Sequence, residues 1–165
     1  MNINVKKLAL AGLLVAVAVV GSTVYIPVGV SKCMPVMHMV NVLGAVILGP
    51  WYAVGVAFVT SCIRLISGTG TLLAFPGSMI GALLAGLMYR KFKKTISAFI
   101  GEIVGTGILG AILAYPVAAL LLSKQVALFG FVIPFSISST GGAAVASILV
   151  FALKRTKAID VISNG

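Results

Sequence analysis

The chain has 165 residues, 61% of them apolar and 8% charged, with twelve Lys and Arg against two acidic residues and a formal net charge of +10. Its mean hydropathy of +1.23 lies far above the roughly half-apolar, quarter-charged mix of soluble domains, and so few polar groups cannot cover a water-soluble core. A soluble globule is excluded; at about 20 residues per span the length fits roughly six membrane helices in a single domain over residues 1–165, with no room for a fused ATPase.

Lys6 and Lys7 precede the first apolar stretch as in a signal peptide, but more apolar segments follow and no small-residue cleavage site closes it, which predicts a retained helix. This first span runs from about Leu8 to Tyr25 and ends at Pro27, which lacks the donor a continuing helix needs. A loop is expected from Pro27 to Pro35. The second span covers Val36 to about Leu48, and Gly49-Pro50 breaks it in a tight turn. Trp51, an interfacial side chain, opens a third span to about Ile66. Small, polar residues from Ser67 to Thr71 read as loop, and Phe75-Pro76-Gly77 opens a fourth span ending near Tyr89. After the basic connection Arg90 to Lys94, a fifth span extends from about Thr95 to Leu122, long enough to tilt or to kink at Pro116. A loop around Lys124 and Gln125 leads to a sixth, from about Phe135 to Leu153. The expected fold is an all-α membrane protein, a bundle of six transmembrane helices.

Orientation follows from the basic residues, because Lys and Arg near helix ends are retained in the cytoplasm. Alternating sides place Lys6, Lys7, Arg90, Lys91, Lys93, Lys94, Lys154, Arg155 and Lys157 together, nine in all, against Lys32, Arg64 and Lys124. Both termini are therefore expected to be cytoplasmic. The same distribution, at the edges of apolar runs and not interleaved with aromatics on a polar face, argues against nucleic acid as a partner. Cys33 and Cys62 form neither a metal-ligand spacing nor a disulfide framework.

Small residues recur four apart: Gly12 and Ala16, Gly77 and Gly81, Gly101 and Gly105, Gly142 and Ala146. Such pairs let helix backbones approach closely in lipid, either within the bundle or against a partner.

Ionisable and polar groups inside a membrane cost at least ~2.5 kcal/mol when charged and normally face a cavity or a partner. His38 and Asn41, three apart, share a helix face near the outer end of the second span, and an imidazole with an amide suits a small heterocycle. Arg64 either snorkels to the interface or supplies a fixed donor fork to the cavity. Glu102 lies eight residues beyond Lys94, roughly 12 Å up the fifth helix. It could pair with a basic group, bind a ligand, or stay protonated. Ser78 and Tyr115 offer hydroxyls in the outer halves of their helices, to a ligand or to a neighbouring helix.

The chain lacks a phosphate-binding Gly-x-x-x-x-Gly-Lys-Ser/Thr loop, a His-Glu-x-x-His pair and a nucleophile elbow, which argues against an ATPase and against an enzyme generally. A stand-alone facilitator or channel, or a small intramembrane enzyme, are the competing classes. Few intramembrane charges and no visible inverted repeat speak against an ion pathway.

The stretches His38 to Val42, Leu48 to Val54, Gly68 to Ala82 and Gly101 to Gly107 closely resemble the ThiW family, substrate-binding components of energy-coupling factor (ECF) transporters for the thiazole precursor of thiamine. The resemblance implies a six-helix component binding hydroxyethylthiazole near the outer face, under a lid formed by the loop between the first two helices. His38, Asn41, Arg64, Ser78 and Tyr115 fall on that side. It further implies a membrane coupling subunit and two cytoplasmic ATPases as partners, which consume the ATP while this chain carries no cofactor, in the cytoplasmic membrane of a prokaryote. Gly12 and Ala16 match the small-x-x-x-small signature with which the first helix of such components docks on the coupling subunit; the family pattern is usually Ala at both places.

Overall fold

The computed structural model describes residues 5–28, 31–123 and 127–156, and proline and glycine set most helix boundaries within them. Helix α1 (Val5–Gly21) leads into a short antiparallel hairpin, β1 (Ile26–Val28) with β2 (Ser31–Cys33), which pairs Ile26 with Cys33 and Pro27 with Lys32. Helices α2 (Pro35–Ile47) and α3 (Pro50–Ile66) each open on a proline, whose missing N–H is a donor the first turn leaves unused anyway. Between them the chain reverses at Gly49, whose φ of +92° would strain any residue with a Cβ. Helix α4 (Ala74–Phe92) ends on Lys93 in the left-handed conformation. Helix α5 (Thr95–Leu121) and helix α6 (Val132–Arg155) complete the bundle.

Six helices thus occupy the six expected segments, with boundaries moved by a few residues. The stretch expected as plain loop, Pro27 to Pro35, instead holds most of the hairpin; strands of three residues are too short to display the alternation by which a strand is read. Lys124, Gln125 and Lys157 lie outside the described residues.

Helix α5 changes pitch along its length. It is α-helical over Thr95–Glu102, π-helical over Ile103–Gly110, α-helical over Ala111–Pro116 and π-helical again over Val117–Leu121. Wide π turns are uncommon and concentrate at functional sites. The first begins directly after Glu102; the second follows Pro116, which has no N–H to continue the α ladder.

Short connections make successive helices antiparallel, so one end of the bundle gathers the start of α1, the α2–α3 turn, the end of α4, the start of α5 and the end of α6. There Lys154 Nζ donates to Thr95 Oγ1 (3.1 Å) and lies 5.2 Å from the centroid of Tyr89, tying three helices together. The opposite end carries the hairpin, the end of α3 and the starts of α2, α4 and α6. Helix α2 is central, contacting all five others, whereas α1 lies at the edge and packs mainly on α2 and α3.

The bundle encloses a polar cluster within an apolar core and turns large apolar side chains outward. Ile66, Leu120 and Trp51 are 86%, 80% and 72% exposed, while His38, Asn41, Arg64, Glu102 and Thr106 are buried. Soluble proteins expose their charges and bury their large apolar side chains; an apolar exterior of this extent suits lipid. Helices α5 and α6 are long and apolar enough to cross a membrane.

Small residues set the closest approaches. A Cβ on Gly105 would sit 2.7 Å from Gly81 Cα, and one on Gly110 would sit 2.6 Å from Gly77 Cα, so α4 and α5 meet backbone to backbone. That contact brings Glu102 and Thr106 against α4. Helix α1 differs: it buries Ala11, Leu14 and Ala18, while Gly12 and Ala16 are exposed and a Cβ on Gly12 would meet nothing within 4 Å.

Candidate functional site

At the hairpin end the helices diverge around a cavity of about 330 Å³, within the range of small-ligand pockets. Helix α2 contributes Met37 and His38, α4 contributes Gly77 and Ser78, and α5 contributes Thr106. Phe135 and Ser138 come from the first turns of α6, Arg64 from the last turn of α3, and Gly68 to Thr71 from the loop that follows it. Lys32 of β2 and Met34 close the hairpin side.

Behind this wall lies a buried polar cluster centred on Glu102, whose side chain is fully inaccessible. His38 Nδ1–H donates to Glu102 Oε1 at 2.8 Å, Asn41 Nδ2–H at 3.0 Å and Thr106 Oγ–H at 2.9 Å. Three donors converging on one oxygen mark it as an acceptor, which places the hydrogen of His38 on Nδ1. Nε2 is an acceptor in the neutral ring, has no protein partner among the described residues, and belongs to a side chain that lines the cavity. A carboxylate behind an imidazole fixes both its tautomer and its ring orientation, the arrangement by which such rings are held toward a ligand.

Asn41 braces the cluster from one side. One Nδ2 hydrogen goes to Glu102, and the other is shared between the Ser78 carbonyl and Ser78 Oγ, both at 3.2 Å, while Ser78 Oγ donates to Oδ1 at 3.3 Å. The amide is thus fully occupied by protein and stands behind Ser78, off the cavity surface. Gly81 makes room for the cluster: a Cβ there would collide with Thr106 Oγ1 and lie 2.8 Å from Glu102 Oε2.

Arg64 is buried at 3% exposure. Its Nη2 donates to the Thr69 carbonyl at 3.2 Å and contacts Met34 Sδ at 2.8 Å, while Nε has no partner. The Arg64 carbonyl in turn accepts from the amides of Thr69 and Gly70, both at 2.9 Å, which folds the following loop over the guanidinium. Met34 N–H donates to Ser138 Oγ at 2.7 Å, linking the hairpin to α6.

Of the residues singled out from the sequence, His38, Arg64 and Ser78 line the cavity, and Asn41 and Glu102 stand behind it. Tyr115 is not among the lining residues; it lies nine residues beyond Thr106 on α5, roughly 13 Å further along. Glu102 lies more than 60 positions from His38 and Asn41 in the sequence, yet the three form one unit. Thr106 and Ser138 were not singled out. Thr106 follows Glu102 by one helical turn and so shares its face, and Ser138 belongs to the polar run Ser136, Ser138, Ser139, Thr140 in an otherwise apolar helix; both signals are present in the sequence.

Among known proteins, the model of the ThiW family, described as thiamine-precursor transporter protein, matches residues 8–156, nearly the whole chain. No curated protein and no solved structure matches it.

Proposed function

Because this chain belongs to the ThiW family of thiamine-precursor transporters, and so to a membrane transporter family and not to an enzyme family, we propose that it is the substrate-binding component of an ECF-type importer, with hydroxyethylthiazole as its ligand. The observation that carries this reading is the cavity with His38 Nε2 presented to it and Nδ1 held by the buried Glu102. An acceptor fixed in that way suits the polar edge of a small heterocycle, with Met37 and Phe135 offering apolar contact to its ring. Ser78 supplies a wall hydroxyl, held by Asn41.

In this proposal all six helices span the cytoplasmic membrane of a prokaryote, and both termini are cytoplasmic. Support comes from charge: Lys6, Lys7, Arg90, Lys91, Lys93, Lys94, Lys154 and Arg155 belong to the end of the bundle remote from the cavity, the distribution expected when that end is cytoplasmic. The cavity then opens outward, beneath the hairpin. Helix α2 has only 13 residues, a rise of about 20 Å against a hydrocarbon core of about 30 Å; the shortfall leaves room for the hairpin and the cavity at membrane depth.

Energy would come from partner subunits, a membrane coupling protein and two cytoplasmic ATPases, with this chain holding no cofactor of its own. The exposed Gly12 and Ala16 on α1 offer the coupling protein a strip where two backbones can approach. The test is calorimetric titration of the purified protein with hydroxyethylthiazole. Binding by the unaltered chain and an affinity about tenfold to a hundredfold lower in His38→Ala, the loss of one buried hydrogen-bond partner, are expected. Absence of binding, or equal affinity in His38→Ala, would overturn the assignment.

A further inference from the structure

The cavity wall is rich in donors and cations and poor in acceptors that could neutralise them. Arg64 brings a charge that is costly to bury unless it is paired. Among the described residues the carboxylate is that of Glu102, whose Oε1 accepts from His38, Asn41 and Thr106 and whose Oε2 has no partner, and no ion pair joins it to Arg64. Of the five N–H groups of a guanidinium, those on Nη2 meet a carbonyl and a thioether sulfur, and Nε meets nothing. A second cation, Lys32, lines the same cavity, its Nζ 4.2 Å from the centroid of Tyr25. Ser138 adds an independent observation: its oxygen is used as an acceptor by Met34 N–H, while its own hydroxyl hydrogen has no acceptor among the described residues.

A neutral alcohol on a heterocycle leaves this set unanswered. It carries no charge to match the guanidinium of Arg64 or the ammonium of Lys32. We propose that the Arg64, Lys32 and Ser138 side of the cavity is an oxyanion subsite, so that the heterocyclic ligand carries a carboxylate or phosphate group at the end opposite His38. The inference rests on the thiazole-precursor reading for the ring and on the wall's charge for the anion. Arg64 suits the role because its fork matches the two oxygens of a carboxylate or phosphate, and because the loop folded over it holds the fork in place.

The experiment is a calorimetric comparison of three probes on the full chain in detergent: hydroxyethylthiazole, its phosphate monoester, and the analogue with a carboxylate replacing the alcohol. At least one acid is expected to bind about tenfold to a hundredfold tighter than the alcohol, as charge-assisted bonds in a buried site allow, and the tighter of the two identifies the oxyanion. Arg64→Gln should weaken the acids more than the alcohol and collapse the preference. If Arg64→Gln does not fold, Arg64→Lys tests the fork, since it keeps the charge and should retain only part of the preference. An alcohol that binds as tightly as both acids, or an equal loss for all three probes in Arg64→Gln, would overturn the subsite while leaving the thiazole reading intact. Should none of the three bind while inorganic phosphate or acetate still raises the unfolding temperature in an Arg64-dependent way, the subsite stands and the thiazole reading falls; if these anions also have no effect, the subsite falls as well.

Discussion

Replacing Glu102 separates the contribution of an acceptor oxygen from that of a charge. In Glu102→Ala three donors lose Oε1, but they are not equally stranded. Thr106 Oγ–H has the Gly77 carbonyl at 3.1 Å as a second acceptor, and Asn41 keeps Ser78. His38 Nδ1 has no other partner among the described residues. One donor is then left wholly unsatisfied and one of Asn41's two N–H groups partly so, at ~1–3 kcal/mol each, and the vacated volume adds a cavity term. The two donors account for about 2–6 kcal/mol before the cavity term is added, a large part of the roughly 5–15 kcal/mol by which a domain is stable. Glu102→Gln retains an oxygen at the Oε1 position and relieves the burial of a charge, so its cost should be only about 1–2 kcal/mol. Thermal unfolding in detergent ranks the three proteins, and titration with hydroxyethylthiazole reports whether the released imidazole still binds. The reasoning fails if Glu102→Ala matches the unaltered chain in both measurements, or if Gln is as damaging as Ala.

Two further outcomes follow from the small residues. Ala16→Trp should abolish uptake in cells while leaving ligand affinity of the isolated protein unchanged, because Ala16 faces away from the bundle; loss of affinity would show instead that α1 packs on itself or its neighbours through this strip. Gly81→Ala should lower the unfolding temperature, since its Cβ meets Thr106 Oγ1 and the Glu102 carboxylate and overpacking typically costs ~1–3 kcal/mol, whereas Gly55→Ala, with nothing within 4 Å of its Cβ, should gain up to about 1 kcal/mol of helix propensity; equal effects at the two positions would contradict the close α4–α5 contact.

The helices were legible because lipid imposes a simple rule: apolar runs of the right length, interrupted by Pro, Gly or basic clusters, must be helices. Gly49-Pro50 and the Arg90 to Lys94 connection marked their turns within a residue or two. The hairpin was not legible, because its strands of three residues carry Pro and Lys and lack an apolar alternation. The family resemblance pointed to the same end of the bundle for the site. What the sequence hid was the third dimension of the polar residues. Glu102 was measured along its helix axis, and rise along an axis says nothing about which neighbour stands opposite. His38 and Glu102 meet because Gly81 and Gly105 let α4 and α5 touch, and because Gly142 lets α6 press on α2 beside His38. In the sequence these glycines pair only within their own helices, four residues apart.

The same geometry explains why a membrane chain with so few polar groups places them as it does. A carboxylate in the centre of an apolar bundle is tolerated only where several donors reach it, and His38, Asn41 and Thr106 do so from two different helices. No ion pair joins Glu102 to Arg64 among the described residues, so the cation stands at the cavity without a counter-charge from this cluster. Glu102 Oε1 thus stiffens the wall through three donors, while Arg64 lines the cavity with its Nε unpartnered. In the proposed oxyanion subsite the counter-charge to Arg64 would come from the ligand, because pairing it with Glu102 would leave no guanidinium charge for an anion to meet.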